Sequence, residues 1–187
     1  MFIGCQLSIY PMTNRYKDII INALHQVKPY KVRTSTDDIS TTVIGNIENV
    51  FNYITQLYTK CLMNFDGHIA MNALFSIGCP GEDDDLLCEP SNEALTLPTR
   101  ALDDYFDTAA QFAIMPLKNS DYMEKIYNII NNLKSSNLNY KYKHFCSYLR
   151  GDIIEIMDFI QESFSSIAAE NNHVVMTASF SNRSPSH

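Results

Sequence analysis

The sequence predicts an α+β chain built from two tandem copies of one βαββαβ unit. Two observations carry that reading: a repeat that stays in register, and the same order of strand and helix periodicities in each copy. Cys5-Gln-Leu-Ser-Ile-Tyr-Pro-Met12 matches Ala110-Gln-Phe-Ala-Ile-Met-Pro-Leu117, and His68-Ile-Ala-Met-Asn-Ala-Leu-Phe-Ser76 matches His173-Val-Val-Met-Thr-Ala-Ser-Phe-Ser181, both at an offset of 105 residues. Between them Tyr16 answers Tyr122 and Gly45 answers Gly151, at an offset of 106. Fixed-period self-similarity is the signature of a repeated structural unit.

In the first copy, Gly4 to Tyr10 alternates, with Cys5, Leu7 and Ile9 on one face and Gln6, Ser8 and Tyr10 on the other. That is a half-buried strand, and Pro11 ends it. Tyr16 to Lys28 follows as a helix, with Tyr16, Ile19, Ile20, Leu24 and Val27 on one stripe and Thr13 or Asn14 as its cap. Lys31 to Thr36 and Ser40 to Ile44 are rich in β-formers, and Asp37-Asp38 between them makes a hairpin. Gly45-Asn46 opens a second helix, where Ile47, Val50, Phe51, Ile54, Leu57, Tyr58, Cys61 and Leu62 recur every three or four residues. His68 to Ser76 closes the copy as a strand whose phase stays open: either His68, Ala70, Asn72 and Leu74 or Ile69, Met71, Ala73 and Phe75 share the face of Gln6.

The second copy keeps the order. Phe106 to Met115 is a strand and Asp121 to Ser135 a helix; Leu138 to Lys143 and Phe145 to Arg150 form a hairpin; Asp152 to Ala169 is a helix and His173 to Ser181 a strand. The order βαββαβ is the split βαβ, or ferredoxin-like, unit: an antiparallel four-stranded sheet with two helices on one face. The expected division is residues 1–80 for the first repeat, 81–104 for an acidic linker carrying Glu82-Asp-Asp-Asp85, and 105–187 for the second. The tail after Ser181 is expected to fray.

Composition narrows the function. With 45% hydrophobic and 19% charged residues the chain is of globular type, and its net charge of −7 lacks the basic footprint that a nucleic-acid backbone needs. No apolar run reaches the ~18 residues of a spanning helix, and no signal peptide is visible, so the cytoplasm is expected. Five cysteines without C-x-x-C spacing signal neither zinc nor a disulfide framework. Cys5, Cys61 and Cys146 read as small core residues. No nucleophile–base pair, phosphate loop or metal cluster stands out, so neither catalysis nor a cofactor is expected. His68 and His173, at the entry to each last strand, read as structural.

The helix-free sheet face is where function is expected. It carries polar and aromatic side chains, a makeup suited neither to a core nor to a fully solvated surface. The other copy, a second subunit or a ligand would cover it.

Gly4-Cys-Gln-Leu-Ser-Ile-Tyr-Pro-Met12, Asp37-Asp-Ile-Ser-Thr41 followed by Gly45, and Gly78-Cys-Pro-Gly81 resemble the YkoF family of thiamine- and hydroxymethylpyrimidine-binding proteins. The resemblance spans nearly the whole chain, stronger in the first copy. It implies two ferredoxin-like repeats, a homodimer, a ligand site in each repeat, and a role in thiamine or pyrimidine-precursor supply beside an ABC-type transporter. The chemistry agrees. An aminopyrimidine needs a paired donor and acceptor, as one amide side chain supplies, and a flat apolar surface; the thiazolium of thiamine gains from a Tyr face or a carboxylate. Gln6, Ser8, Tyr10, Asp37, Asp38, Ser40, Thr41 and Asn72 are the candidate ligand-binding residues of the first copy. In the second copy the weaker candidates are Gln111, Met115, His144, Ser147 and Thr177, with Ala113 in place of Ser8 and with Lys143 and His144 in place of Asp37 and Asp38. A cation is therefore expected to prefer the first copy. The alternatives are a ligand-sensing interaction module for another metabolite, and a small enzyme using Asp37 or Asp38 as base.

Overall fold

A computed structural model describes residues 1–27, 31–78, 105–117 and 122–186. Within them the first copy runs β1 (Phe2–Pro11), α1 (Tyr16–Gln26), β2 (Val32–Thr36), β3 (Thr41–Asn46), α2 (Ile47–Asn64) and β4 (Ile69–Ile77). The second runs β5 (Asp107–Pro116), α3 (Tyr122–Lys134), β6 (Asn139–Lys143), β7 (Cys146–Asp152), α4 (Ile153–Ala168) and β8 (Val174–Asn182). Both copies are βαββαβ, so the fold class read from periodicity holds. The expected linker, with Glu82 to Asp85, lies outside the described residues.

The two sheets do not remain separate. All eight strands form one sheet in the order β2-β3-β1-β4-β8-β5-β7-β6, every neighbouring pair antiparallel. The halves meet where β4 pairs with β8 from Ile69↔Asn182 to Ile77↔Val174. The local approximate two-fold passes through the pair Ala73↔Ala178. The second copy therefore extends the open face of the first instead of covering it. The reason lies in the strands themselves. Within β4 and β8 there is no Lys, Arg, Asp, Glu or Pro, so nothing blocks edge-to-edge pairing, whereas the outer strands β2 and β6 carry Arg33, Lys141 and Lys143.

The core lies between this sheet and the helices. From the sheet come Ile3, Cys5, Leu7, Ile69, Met71, Phe75, Phe112, Met176 and Phe180, all buried. This fixes the phase of β4: Ile69, Met71, Ala73 and Phe75 face the helices, and Ala70, Asn72 and Leu74 face away. The helices lie side by side, α1 on α2, α2 on α4 and α4 on α3. At the junction Phe51 of α2 stacks on Phe75 of β4 with ring centroids 4.3 Å apart, and both rings lie against Phe164 of α4 at 6.4 and 6.3 Å. One aromatic cluster thus serves both copies.

The repeated glycine has a steric reason. A Cβ on Gly45 would sit 2.9 Å from the carbonyl oxygen of Lys31, and one on Gly151 2.7 Å from a methyl of Leu138. At Gly45 the obstacle is backbone and cannot yield, whereas at Gly151 it is the end of the Leu138 side chain, which can turn aside.

Four local expectations are corrected. The buried stripe of α1 is Ile19 and Ala23, continued by the C-cap Val27, while Tyr16 and Leu24 are exposed; the small Ala23 is a position that a search for large apolar residues passes over. Neither Thr13 nor Asn14 is the N-cap of α1; Arg15 holds that position, and Thr13 Oγ1 accepts from Arg15 N before the helix begins. Cys146 is not core, because β7 turns it to the helix-free face. The tail is tied down through Arg183: Asn182 is buried and donates to Asp107 O and Thr108 Oγ1, and Arg183 donates to the carbonyls of Leu62 and Phe65.

Candidate functional site

The register defines which side chains share the helix-free face, since directly paired residues point the same way. One row across the sheet is Ser8–Asn72–Ser179–Gln111–Tyr148–Lys141. The next is Ser35–Thr42–Gln6–Leu74–Thr177–Ala113. Neighbours in a row are about 4.8 Å apart. Gln6, Ser8, Tyr10, Asn72, Gln111, Met115 and Thr177 are thus brought onto one continuous face, exposed except for the half-buried Ser8. The two sets of candidates run into each other across β4 and β8.

Two candidates lie elsewhere. Thr41 pairs with Leu7 and so belongs to the helix side, where its Oγ1 is 3.0 Å from Thr36 Oγ1. Ser147, its counterpart, pairs with Phe112 on the same side. On the helix-free face those places are taken by Thr42 and Tyr148. Sequence reasoning passed over Thr42, Tyr148 and Ser179, and left Leu74 open with the phase of its strand. The register of β3 on β1, of β7 on β5 and of β8 on β4 identifies them.

The hairpin between β2 and β3 leans on β1. Ser8 Oγ donates to Ile39 O at 2.8 Å. Asp37 Oδ1 accepts from Ile39 N at 2.7 Å and from Ser40 N at 2.8 Å, while Asp37 N donates to Ser40 O. This is an Asx turn. The bonds from Ser40 and then Ile39 hold the Asp37 carboxyl below the ordinary aspartate range. A carboxylate stabilised in its ionised form keeps its charge for a cation but is a weaker base, which counts against Asp37 as a catalytic base. Asp38 is exposed beside it, and Ser40 is half-buried.

The second hairpin is different. Lys143 Nζ lies 3.4 Å from Gln111 Oε1, a long contact, with Cys146 Sγ 3.8 Å from the same oxygen. Lys143 and Lys141 stand 5.3 and 5.8 Å from the centre of the Tyr148 ring. The side-chain carbonyl of Gln111 is thereby engaged, whereas the side-chain amide of Gln6 has no hydrogen-bond partner among the described residues. His144 is exposed at the tip, next to Phe145.

His68 does join the copies: its Nε2 lies 3.1 Å from Ser181 Oγ, across the junction. Among the described residues no group of three or more His, Cys, Asp or Glu side chains is placed to hold a metal ion, and no helix is long and apolar enough to cross a membrane.

An eight-stranded sheet made of two ferredoxin-like halves, with no helix on one face among the described residues, defines a tandem α+β protein with a wide polar and aromatic surface. Its family follows from the sequence: the YkoF-related family model matches residues 2–82 and again 107–187, and the chain belongs to that family. A Bacillus subtilis relative, "Putative HMP/thiamine-binding protein YkoF", is 33% identical over 185 residues, covering 98% of this chain and 91% of the relative. Two solved structures are similar over part of the chain. A Streptococcus pneumoniae protein is 19% identical, with a TM-score of 0.38, covering 40% of this chain and 83% of its own. A Thermotoga maritima "putative thiamine biosynthesis/salvage protein" is 17% identical, with a TM-score of 0.36, covering 40% and 81%.

Proposed function

We propose that this protein binds thiamine or its hydroxymethylpyrimidine moiety without chemical turnover, on the helix-free face of the first copy. The observation that carries this reading is the side-chain amide of Gln6, unengaged among the described residues, on the same face as Asn72 and Tyr10, with a turn that leans on Ser8 and holds the Asp37 carboxylate in its charged form. A primary amide offers N–H and C=O side by side, matching the exocyclic amine and ring nitrogen of an aminopyrimidine. Asn72 is a second such group, and Tyr10 gives the ring or the thiazolium a flat surface. Ser8, Asp38 and Ser40 edge the site. The name of the Bacillus subtilis relative supports the ligand class.

The second copy would bind such a cation more weakly. Lys143 replaces Asp37 and engages the carbonyl of Gln111, which leaves that amide mainly a donor. Met115, His144 and Thr177 would form what remains of a site.

A homodimer accords with the apolar groups left bare. Leu74, Tyr10 and Met115 are exposed on the open face, and the two hairpin tips present Ile39 and Phe145, 83% and 98% exposed, at equivalent positions. Apolar tips of this kind gain from burial in a second copy. In the cytoplasm such a dimer would serve thiamine or precursor uptake or salvage, alongside components of an ABC-type transporter.

Isothermal titration with thiamine, hydroxymethylpyrimidine and a panel of unrelated metabolites tests the ligand. Heat from the first two, lost in Tyr10→Ala and Asn72→Ala, is the expected result. Heat only from an unrelated metabolite rejects the ligand class, and unchanged affinity in both variants rejects the location. Light scattering reports the mass of the assembly.

A further inference from the structure

A second corner of the fold carries charge that the proposed site does not use. At the start of β1, Phe2, Lys31, Val32, Arg33, Ile44, Gly45 and Asn46 line a cavity of about 190 Å³. It lies at the far end of β1 from Tyr10, roughly 26 Å away for eight residues of strand. Lys31 Nζ is shielded from solvent and has no hydrogen-bond partner among the described residues. Lys31 also takes a φ of 57°, a backbone conformation that non-glycine residues rarely adopt. A buried ammonium without a partner is costly, so it calls for an anion.

The second copy indicates which anion position is missing. There Asp152 caps α4: its Oδ1 accepts from Ile154 N at 2.8 Å and its Oδ2 from Phe106 N at 2.9 Å. Both copies otherwise build this corner alike, with Ile47 N donating to Met1 O and Ile153 N donating to Phe106 O. Asn46 stands where Asp152 stands, is the N-cap of α2, and makes no side-chain capping bond. Asn137 and Asn139 stand where Lys31 and Arg33 stand. The second copy thus has two amides and an internal carboxylate, and the first has two cations and no carboxylate. Glu48 is in the first turn of α2 but does not line the cavity.

We infer that the cavity of Lys31, Arg33 and Asn46 is a binding site for a phosphate group, free or as a monoester, seated where the second copy places the Asp152 carboxylate. Two cationic side chains favour a dianion over a carboxylate. The four-carbon stem of Lys31 gives its ammonium the reach to meet the ligand, and Arg33 contributes a planar fork of donors suited to phosphate oxygens. The site does not depend on the thiamine reading, because it shares no residue with the proposed ligand site, although the register places Arg33, Ile44 and Asn46 on the same face of the sheet as Gln6.

The test is thermal unfolding of the full chain with inorganic phosphate, against acetate and against chloride at matched ionic strength. Saturable stabilisation by phosphate beyond both controls is expected. Lys31→Met should weaken the phosphate response about tenfold or more, the worth of a charge-assisted contact. Arg33→Gln, at an exposed position, should weaken it without disturbing the fold. Asn46→Asp should raise the melting temperature without ligand and abolish the response, because it supplies the carboxylate internally. Equal stabilisation by chloride, an undiminished response in Lys31→Met or Arg33→Gln, or any remaining response in Asn46→Asp overturns the inference. A stronger response to acetate replaces the phosphate with a carboxylate and overturns it as stated.

Discussion

Replacing Phe164 with alanine asks whether the two halves share one core. Phe164 is fully buried on α4 of the second copy, yet its ring lies against Phe51 and Phe75 of the first. Truncating a buried Phe costs about 3–5 kcal/mol, through lost transfer energy and the cavity left behind. Phe51 and Phe75 are held by their own stack and by the sheet, so little collapse can fill the space, which favours the upper half of that range. Because the ring is shared, the loss should reach both copies. Hydrogen exchange reads this directly. Amides of β1 and β3 and amides of β5 and β7 should lose protection together, by roughly 10³-fold for about 4 kcal/mol. Urea unfolding, followed by far-UV circular dichroism because the chain has no Trp, should keep one transition at a lower midpoint. If only β5 and β7 lose protection while β1 and β3 keep theirs, the halves are separate folding units and the shared-core argument is wrong.

Asp152→Ala should cost about 1–3 kcal/mol, because it removes a cap and leaves two backbone donors unmet; Asn46→Ala, which removes no capping bond, should cost well under half as much by denaturant titration. The Asp37 carboxyl should titrate by NMR below the ordinary aspartate value. Its contribution to hairpin order is then present above the unfolded pKa of about 4 and lost as pH falls through the folded value, and Asp37→Asn should erase that pH dependence; a titration at or above 4 refutes the assignment. Burial pushes the Cys61 thiol up to about 12 and raises that of Cys5 further, whereas Cys146 is only half-buried. In peptide mapping after iodoacetamide at pH 8, Cys146 should label well before Cys5 and Cys61 in the native protein, and equal labelling would contradict the burial pattern.

Most of the fold is legible because it rests on local periodicity. The alternation of Cys5, Leu7 and Ile9, and the three-and-four spacing from Ile47 to Leu62, state their own secondary structure and buried face. The junction is less legible because pairing between β4 and β8 is not local. A strand buried on one face looks alike at the edge or the centre of a sheet. The available signal is negative: Ile69–Ile77 and Val174–Asn182 lack the charges and prolines that guard an edge. The site suffers from the same limit. Thr41 and Thr42 differ by one residue and therefore by a whole face of the sheet, and only the register of β3 against β1 decides between them. The anchoring of the tail escapes sequence reasoning for another reason: Arg183 is satisfied by carbonyls of Leu62 and Phe65, over a hundred positions away.

The pairing of β4 with β8 has one more consequence. Were the halves separate identical chains, every substitution would appear on both sides of the axis, and the two corners and two hairpins would be copies by necessity. A single chain lifts that requirement. One codon change turns a carboxylate into an amide at one corner and leaves the other untouched, so Asp37 can stand opposite Lys143 and Asn46 opposite Asp152 within one sheet. Joining the halves end to end thus gives a nearly symmetric scaffold the freedom to be chemically lopsided.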